Sequence, residues 1–306
     1  MGPQRCAALA GPARLPARAP GFRGGPGRRN GVACERARFR TGEPLPCIGL
    51  GTWRTFDVGE APSERAPLAE VLRVLREGGG RLIDSSPMYG RAEAVVGELV
   101  RAQPEPRPFL ATKVWTTGRE AGLAQLEESE RRMAAPGRLD LVQVHNLLDL
   151  DVQLATLREW KASGRIRYVG ATHHASSGLD RLAALAEDGA VDFVQVPYSV
   201  AVRDAEARLL GAARDGGVAV LVMRPLESGD LAARLRAEPL PAFAAELGCS
   251  TWPQLLLKWI LGHPAVTCVI PATADPRHAA DNVRAGEGPL PDEDLRRRIL
   301  AVVRAV

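Results

Sequence analysis

Four residues in this sequence have the types and spacing to move a proton. Asp84 ends the apolar run RLID, Tyr89 follows five residues later in SSPMY, Lys113 lies in FLATKV, and His145 closes LDLVQVH. The chain has three tyrosines, and of its forty basic residues only three are lysine (Lys113, Lys161, Lys258). A lysine kept inside a β-type run points to a need for a compact ammonium or a tunable pKa. Singly, each residue has a plain structural reading: Asp84 a helix cap, Lys113 a snorkelling strand-end lysine, His145 a satisfied core histidine, Tyr89 a packing ring. Together they suggest one device. A lysine beside a tyrosine stabilises phenolate and lowers its pKa, while a carboxylate holds the lysine charged and in place. Such a tyrosine can give its proton to an oxygen at neutral pH. Carbonyl reduction requires this, since hydride reaches carbon while an acid meets the developing alkoxide. A neutral histidine nearby can orient the carbonyl.

These groups need a frame that delivers them to one place. Eight β-rich runs recur after residue 40: CIGLG (47–51), RLIDS (81–85), FLATKV (109–114), LDLVQVH (139–145), IRYVGAT (166–172), VDFVQVPYS (191–199), GVAVLVM (217–223) and AVTCVIP (265–271). Most are nearly continuous in apolar residues, as strands of a parallel sheet covered on both faces must be. Helical patterns such as LAEVLRVLREGG and DVQLATLREWKASG alternate with them, and glycine follows several at Gly78, Gly164 and Gly262. Eight β-then-α units predict a single-domain (β/α)8 TIM barrel over residues 41–306, with an open doubly wound sheet as the alternative. In such a barrel the strand ends form the site. They carry Asp84, Lys113, His145, Thr172-His173, Gln195 and Arg224. The interval Arg224 to Ser250 is long enough for a lid with its own helix near Asp230–Ala237.

Composition sets the outer limits. Residues 1–40, rich in Arg, Pro and Gly, have too few large apolar side chains to order themselves and read as a disordered tail. They hold nine arginines and one glutamate, so their charge is +8 and the remainder of the chain carries −4. The folded part is thus no nucleic-acid surface. GFRGGPGRRNG has a vague RGG character and Arg28-Arg29 suggest a twin-arginine signal, but no long apolar run follows. Five cysteines without a CxxC pair argue against a zinc site or disulfide framework and for a reducing, cytoplasmic setting. Cys47 and Cys268, on the first and last strands, read as core thiols. His173-His174 are expected to face opposite sides of a strand and so not to share a metal. TWPQLLLKWILGHP reads as a barrel-packing helix, and no stretch is apolar enough to span a bilayer.

From about Pro46 to Asn282 the residues resemble the aldo-keto reductase family. IGLGTW (48–53), IDSSPMYGRAEAVVGELV, ATKVW, LDLVQVH, FVQV and IPATADPRHAADN are similar to its motifs, in its order. The resemblance implies that Asp84, Tyr89, Lys113 and His145 form the catalytic tetrad with Tyr89 as general acid. It also implies that NADPH binds extended across the barrel mouth, without a Rossmann fold. The chain accordingly has no GxGxxG. By the same resemblance Gly51, Thr52 and Trp53 lie along the cofactor or substrate edge, and Gln195 meets the nicotinamide carboxamide. Thr172-His173 replace the usual Ser-Asn. Met223, Arg224, Pro225 and Leu226 stand where many members have an aromatic residue followed by Ser, Pro and Leu. Pro271, Thr273, Arg277, His278 and Asn282 belong to the carboxy-terminal cofactor segment. Members selective for NADPH often carry a lysine at the place of Ala272 and an arginine at that of His278, so NADH is a possible alternative and Arg277 a possible substitute cation. Trp115 is placed to line the substrate pocket, or else to be buried against the lid. The partner implied is a small carbonyl compound, with neither nucleic acid nor membrane, and oligomeric state has no signature. Two other functions fit the residues: a nicotinamide-binding regulatory subunit with little turnover, and a barrel aldolase using Lys113 as a Schiff-base nucleophile.

Overall fold

Continuous apolar strands with polar ends require a sheet covered on both faces, and the computed structural model has one, closed on itself inside a ring of helices. It describes residues 35–36, 41–103, 106–133 and 139–305. In chain order these form β1 (Glu35–Arg36), β2 (Leu45–Pro46), β3 (Leu50–Gly51), α1 (Pro62–Glu77), β4 (Leu82–Asp84), α2 (Ala92–Ala102) and β5 (Phe109–Val114). Then come α3 (Arg119–Arg132), β6 (Leu139–His145), α4 (Leu150–Ala162), β7 (Ile166–Thr172), α5 (Leu179–Glu187), β8 (Phe193–Pro197), α6 (Leu209–Gly216) and β9 (Ala219–Met223). The chain continues through α7 (Asp230–Arg234), α8 (Trp252–Leu261), β10 (Val266–Val269), α9 (Pro276–Arg284) and α10 (Glu293–Arg304).

Strands β3 to β10 pair in sequence order, each parallel to the next. Bridges from Ile48 to Val269 and from Gly51 to Ala272 join the first strand to the last, so the open-sheet alternative is excluded. The first strand is short because Gly49 and Gly51 pack directly on their neighbours. A Cβ on Gly49 would lie 2.9 Å from the Leu82 carbonyl, and one on Gly51 2.9 Å from that of Ile270. Alternate side chains fill the barrel, from Leu45, Leu82, Phe109, Tyr168 and Phe193 to Leu221 and Cys268, while the others pack outward on the helices.

Two expectations change. Glu35–Arg36, inside the stretch expected to be disordered, pairs antiparallel with Leu45–Pro46; the RGG-like run and Arg28-Arg29 lie outside the described residues. The lid helix is the five-residue α7, ending at Arg234 short of Ala237, and is followed by a 3-10 segment, Ala242–Leu247. Cys47 and Cys268 are fully buried, and burial, helped by Asp84, pushes the Cys268 thiol well up. Among the described residues no helix is long and apolar enough to cross a membrane.

Candidate active site

The four residues singled out in the sequence come together at the carboxyl ends of the strands. Strand β4 ends in Asp84, which is 2 % exposed. The turn that follows is tied by Tyr89 N–H donating to the Ser86 carbonyl at 3.0 Å and by Ala92 N–H donating to that of Tyr89 at 3.1 Å. Gly90 takes φ +58°, and a Cβ there would lie 2.3 Å from the Asp57 carboxylate, so only glycine fits the bend. Asp57 in turn accepts from Arg91 N–H at 2.9 Å, which pins the turn to the loop after β3.

Lys113, one strand over, is fully buried. Its Nζ donates to Asp84 Oδ2 at 2.6 Å and to the Ser85 carbonyl at 2.8 Å, and lies 5.1 Å from the centre of the Tyr89 ring. Burial opposes its charge, but Asp84 and Tyr89 together outweigh burial and hold the ammonium above the ordinary lysine range. A lysine kept charged in this way is no Schiff-base nucleophile, which removes the support for an aldolase. For Tyr89, burial is the largest influence and raises the hydroxyl; Lys113 pulls it down and Asp84 pushes it up. The balance is upward, which corrects the expectation of a lowered pKa. Lys113 acts in the expected sense but does not overcome desolvation.

His145 stands edge-on to Tyr89, ring centres 6.0 Å apart. Its Nδ1 is 3.1 Å from the Ser86 hydroxyl. Burial first, then the Lys113 charge and His174, push it down to about 3, so the imidazole is neutral near pH 7.

The remaining site residues spread around this centre. Thr52 is buried, its hydroxyl 3.0 Å from both the Asp84 carbonyl and the Ser85 hydroxyl. Trp53 and Trp115 are among the exposed large apolar side chains; Arg54 covers Trp53 at 4.3 Å and Trp115 tilts toward His145 at 6.3 Å. Trp115 is thus at the rim and not buried against the lid. Thr172 donates to Gln195 Oε1 at 3.4 Å. Met223 ends β9 and packs on the barrel interior, whereas Arg224 turns outward at φ +52°, above a buried Pro225 and a half-buried Leu226. Gly51 N–H donates to the Pro271 carbonyl at 3.4 Å, and Thr273 and Asn282 are buried.

Two placements differ from the sequence reading. His173 and His174 stack 5.3 Å apart with their ring planes nearly parallel, because β7 ends at Thr172 and strand alternation ends with it. Arg277, expected to be free for a phosphate, holds Asp275 with its Nε at 3.2 Å and Nη2 at 2.7 Å. His278 beside it is exposed. Three partners of the site were missed in the sequence: Ser85, Ser86 and Gln143. Gln143 alone left a signal, a polar residue two before His145 in the middle of a strand whose other polar residues, Asp140 and His145, lie toward its ends.

A nicotinamide carboxamide fits this site on one observation. Gln195 is 1 % exposed and its Nε2 has no partner among the described residues, so a buried amide donor awaits an acceptor.

Fold and site define a (β/α)8 barrel whose rim gathers a buried lysine–carboxylate pair, a tyrosine and a neutral histidine. Comparison with known proteins agrees: residues 47–298 match the model of the Aldo/keto reductase family. The chain belongs to this family and is an NAD(P)H-dependent carbonyl reductase. It is 26% identical over 308 residues to the NADH-specific methylglyoxal reductase of Escherichia coli (strain K12), covering 82% of this chain and 92% of that one. It is similar to an aldo/keto reductase from Klebsiella pneumoniae solved with NADP and acetate (27% identity, TM-score 0.73, 88% and 95% of the two chains). Another K. pneumoniae structure, solved with NADPH, gives 28% identity and TM-score 0.70, over 88% and 95% of the chains.

Proposed function

We propose that the chain reduces an aldehyde or ketone with Tyr89 as general acid, Lys113 and Asp84 as its charge relay partners and His145 as the group that orients the carbonyl. The observation that carries this is the fully buried Lys113 ammonium, 2.6 Å from Asp84 and 5.1 Å from the Tyr89 ring. When bound, the nicotinamide supplies the hydride. Tyr89, raised by burial, is protonated near pH 7 and gives that proton to the developing alkoxide. Lys113 stabilises the phenolate left behind, and Asp84 fixes Lys113. His145 is neutral, and with Nδ1 turned to Ser86 its Nε2 is the atom offered to the carbonyl oxygen.

Gln195 Nε2 would hold the carboxamide, with Thr172 fixing Gln195 and His173 beside them. Gly51, Thr52, Trp53, Met223, Arg224, Pro225 and Leu226 would line the same cofactor, and Pro271, Thr273, Arg277, His278 and Asn282 its adenosine end. Asp275 occupies the Arg277 guanidinium, so we read the adenosine end as weakly selective between NADPH and NADH. The methylglyoxal reductase similarity supports small carbonyls as substrates and NADH as a usable cofactor. We place the chain in the cytoplasm, on its cysteine usage and the absence of a membrane-spanning helix among the described residues.

Rapid mixing of enzyme-bound NADPH with a panel of aldehydes, ketones and sugars tests the reading. Oxidation of bound cofactor in a single turnover supports it; bound cofactor that survives the whole panel contradicts it.

A further inference from the structure

One side chain in the site has no part in the reaction described so far. Gln143 is fully buried on β6, two residues before His145, so both point into the barrel. Register places it beside Lys113 on β5 and Gly170 on β7. Its Nε2 donates to Asp84 Oδ1 at 3.0 Å, while Lys113 takes the other oxygen, Oδ2, at 2.6 Å. The opposite amide orientation would set two acceptors against each other, so the NH2 group must face Asp84. Gln143 Oε1 is then left without a partner among the described residues. The fold makes room for this arrangement, because a Cβ on Gly170 would come within 2.8 Å of Gln143 Cγ. A buried amide with an unpaired oxygen is unfavourable in itself. Its other end, however, completes the carboxylate on which Lys113 depends.

We propose that Gln143 is a positioning residue for proton transfer: its amide holds Asp84 Oδ1, so that only Oδ2 is presented to Lys113 and the ammonium stays aimed at Tyr89. Without that donor the carboxylate turns about its Cβ–Cγ bond to offer both oxygens to Lys113. The ammonium then follows Asp84 and Ser85 away from the Tyr89 hydroxyl. The inference rests on the general-acid role given to Tyr89.

The charged and titratable groups around Asp84 and Gln143 allow a specific test. Lys113 faces them from β5, Tyr89 from the turn after β4, His145 from β6 and Cys268 from β10, and Glu93 on α2 acts on Lys113 from behind β5. Lys113, Tyr89 and Cys268 are held above their ordinary ranges, and His145 is pushed to about 3. None of these four changes protonation between pH 6 and 8. Replacing Gln143 by glutamate puts a second carboxyl beside Asp84, and two such groups in contact cannot both ionise easily. While it holds its proton, residue 143 donates to Asp84 as the amide does; once the proton leaves, that bond becomes a repulsion.

Gln143→Glu should therefore keep kcat near native at pH 6 and lose it as pH rises, adding an alkaline limb absent from the native profile. Gln143→Leu and Gln143→Met, apolar and close in volume, should lower kcat at least about tenfold at every pH without a new limb. Their NADPH affinity, read by fluorescence titration, should stay within about twofold of native, since K is little altered by groups that act only in the transition state. Native kcat in the Leu or Met variant, or a Gln143→Glu profile parallel to the native one, overturns the proposal. Loss of NADPH binding and of cooperative melting in all three also overturns it, because Gln143 would then be a core residue only. Failure of the underlying reading looks different. Turnover surviving in Tyr89→Phe removes the general acid, whereas a dead Tyr89→Phe beside native-like Gln143 variants removes only this inference.

Discussion

Removing the Asp84 carboxylate would leave the Lys113 ammonium fully buried without its ion-paired carboxylate. Breaking a buried pair from one side costs about 3–5 kcal/mol, so Asp84→Asn should lower the urea midpoint sharply as well as slow the reaction. A midpoint equal to native would mean that the pair is not a buried charge pair. The adenosine end gives a milder prediction. The Asp275 clamp on Arg277 is solvent-exposed and therefore weak, so Asp275→Ala should improve NADPH binding relative to NADH only modestly. An unchanged ratio in fluorescence titrations would show that Arg277 does not meet the cofactor. The four central residues were legible in the sequence because polar types at the ends of apolar runs stand out. Ser86 was not, since its part depends on His145, 59 positions away, and Gln143 showed only as a polar residue in a largely apolar strand, its partner Asp84 being 59 positions away as well. Net pKa directions were equally out of reach: the Lys113 effect on Tyr89 is visible in the residue types, but the larger desolvation is visible only in the fold.

The turn from β4 into α2 is the element that turns sequence spacing into geometry. It must fold Tyr89 back over Asp84 within five residues, and Gly90 at φ +58° beside the Asp57 carboxylate is where it bends. Gly90→Ala adds a left-handed strain of about 1–2 kcal/mol and a direct clash. It should lower the melting temperature modestly and kcat strongly, with NADPH affinity unchanged. A variant with native kcat would show that the bend does not position Tyr89. Elements were readable where one physical signal dominated. Most of the strands are nearly continuous apolar runs, and the helices between them carry a 3.6-residue period. CIGLG was harder, because its glycines yield only Leu50–Gly51 and isolated bridges. Pairing of Glu35–Arg36 with Leu45–Pro46 had no local signal at all, since it depends on a partner strand ten residues away.

For the molecule as a whole, two histidines set the response to acid. Burial pushes His145 to about 3 and His263 to about 4, below the 6.5 they take when exposed on unfolding. The unfolded chain binds more protons in that interval, so their contribution to stability is complete above pH 6.5 and is lost as pH falls toward 4. Glu93, raised by burial, works in the opposite sense but is one group against two. The urea midpoint should therefore be lower at pH 5 than at pH 7.5, and an equal or higher value at pH 5 would contradict the neutral state assigned to both imidazoles. In the proposed mechanism the same buried rim is what carries the reduction: Lys113 and Asp84, 0 % and 2 % exposed, would act through Tyr89. The most direct measurement of that claim is single-turnover oxidation of bound NADPH by an aldehyde in Tyr89→Phe. The account predicts a rate at least about 100-fold below native with NADPH affinity within about twofold of native; a native rate in that variant would contradict it.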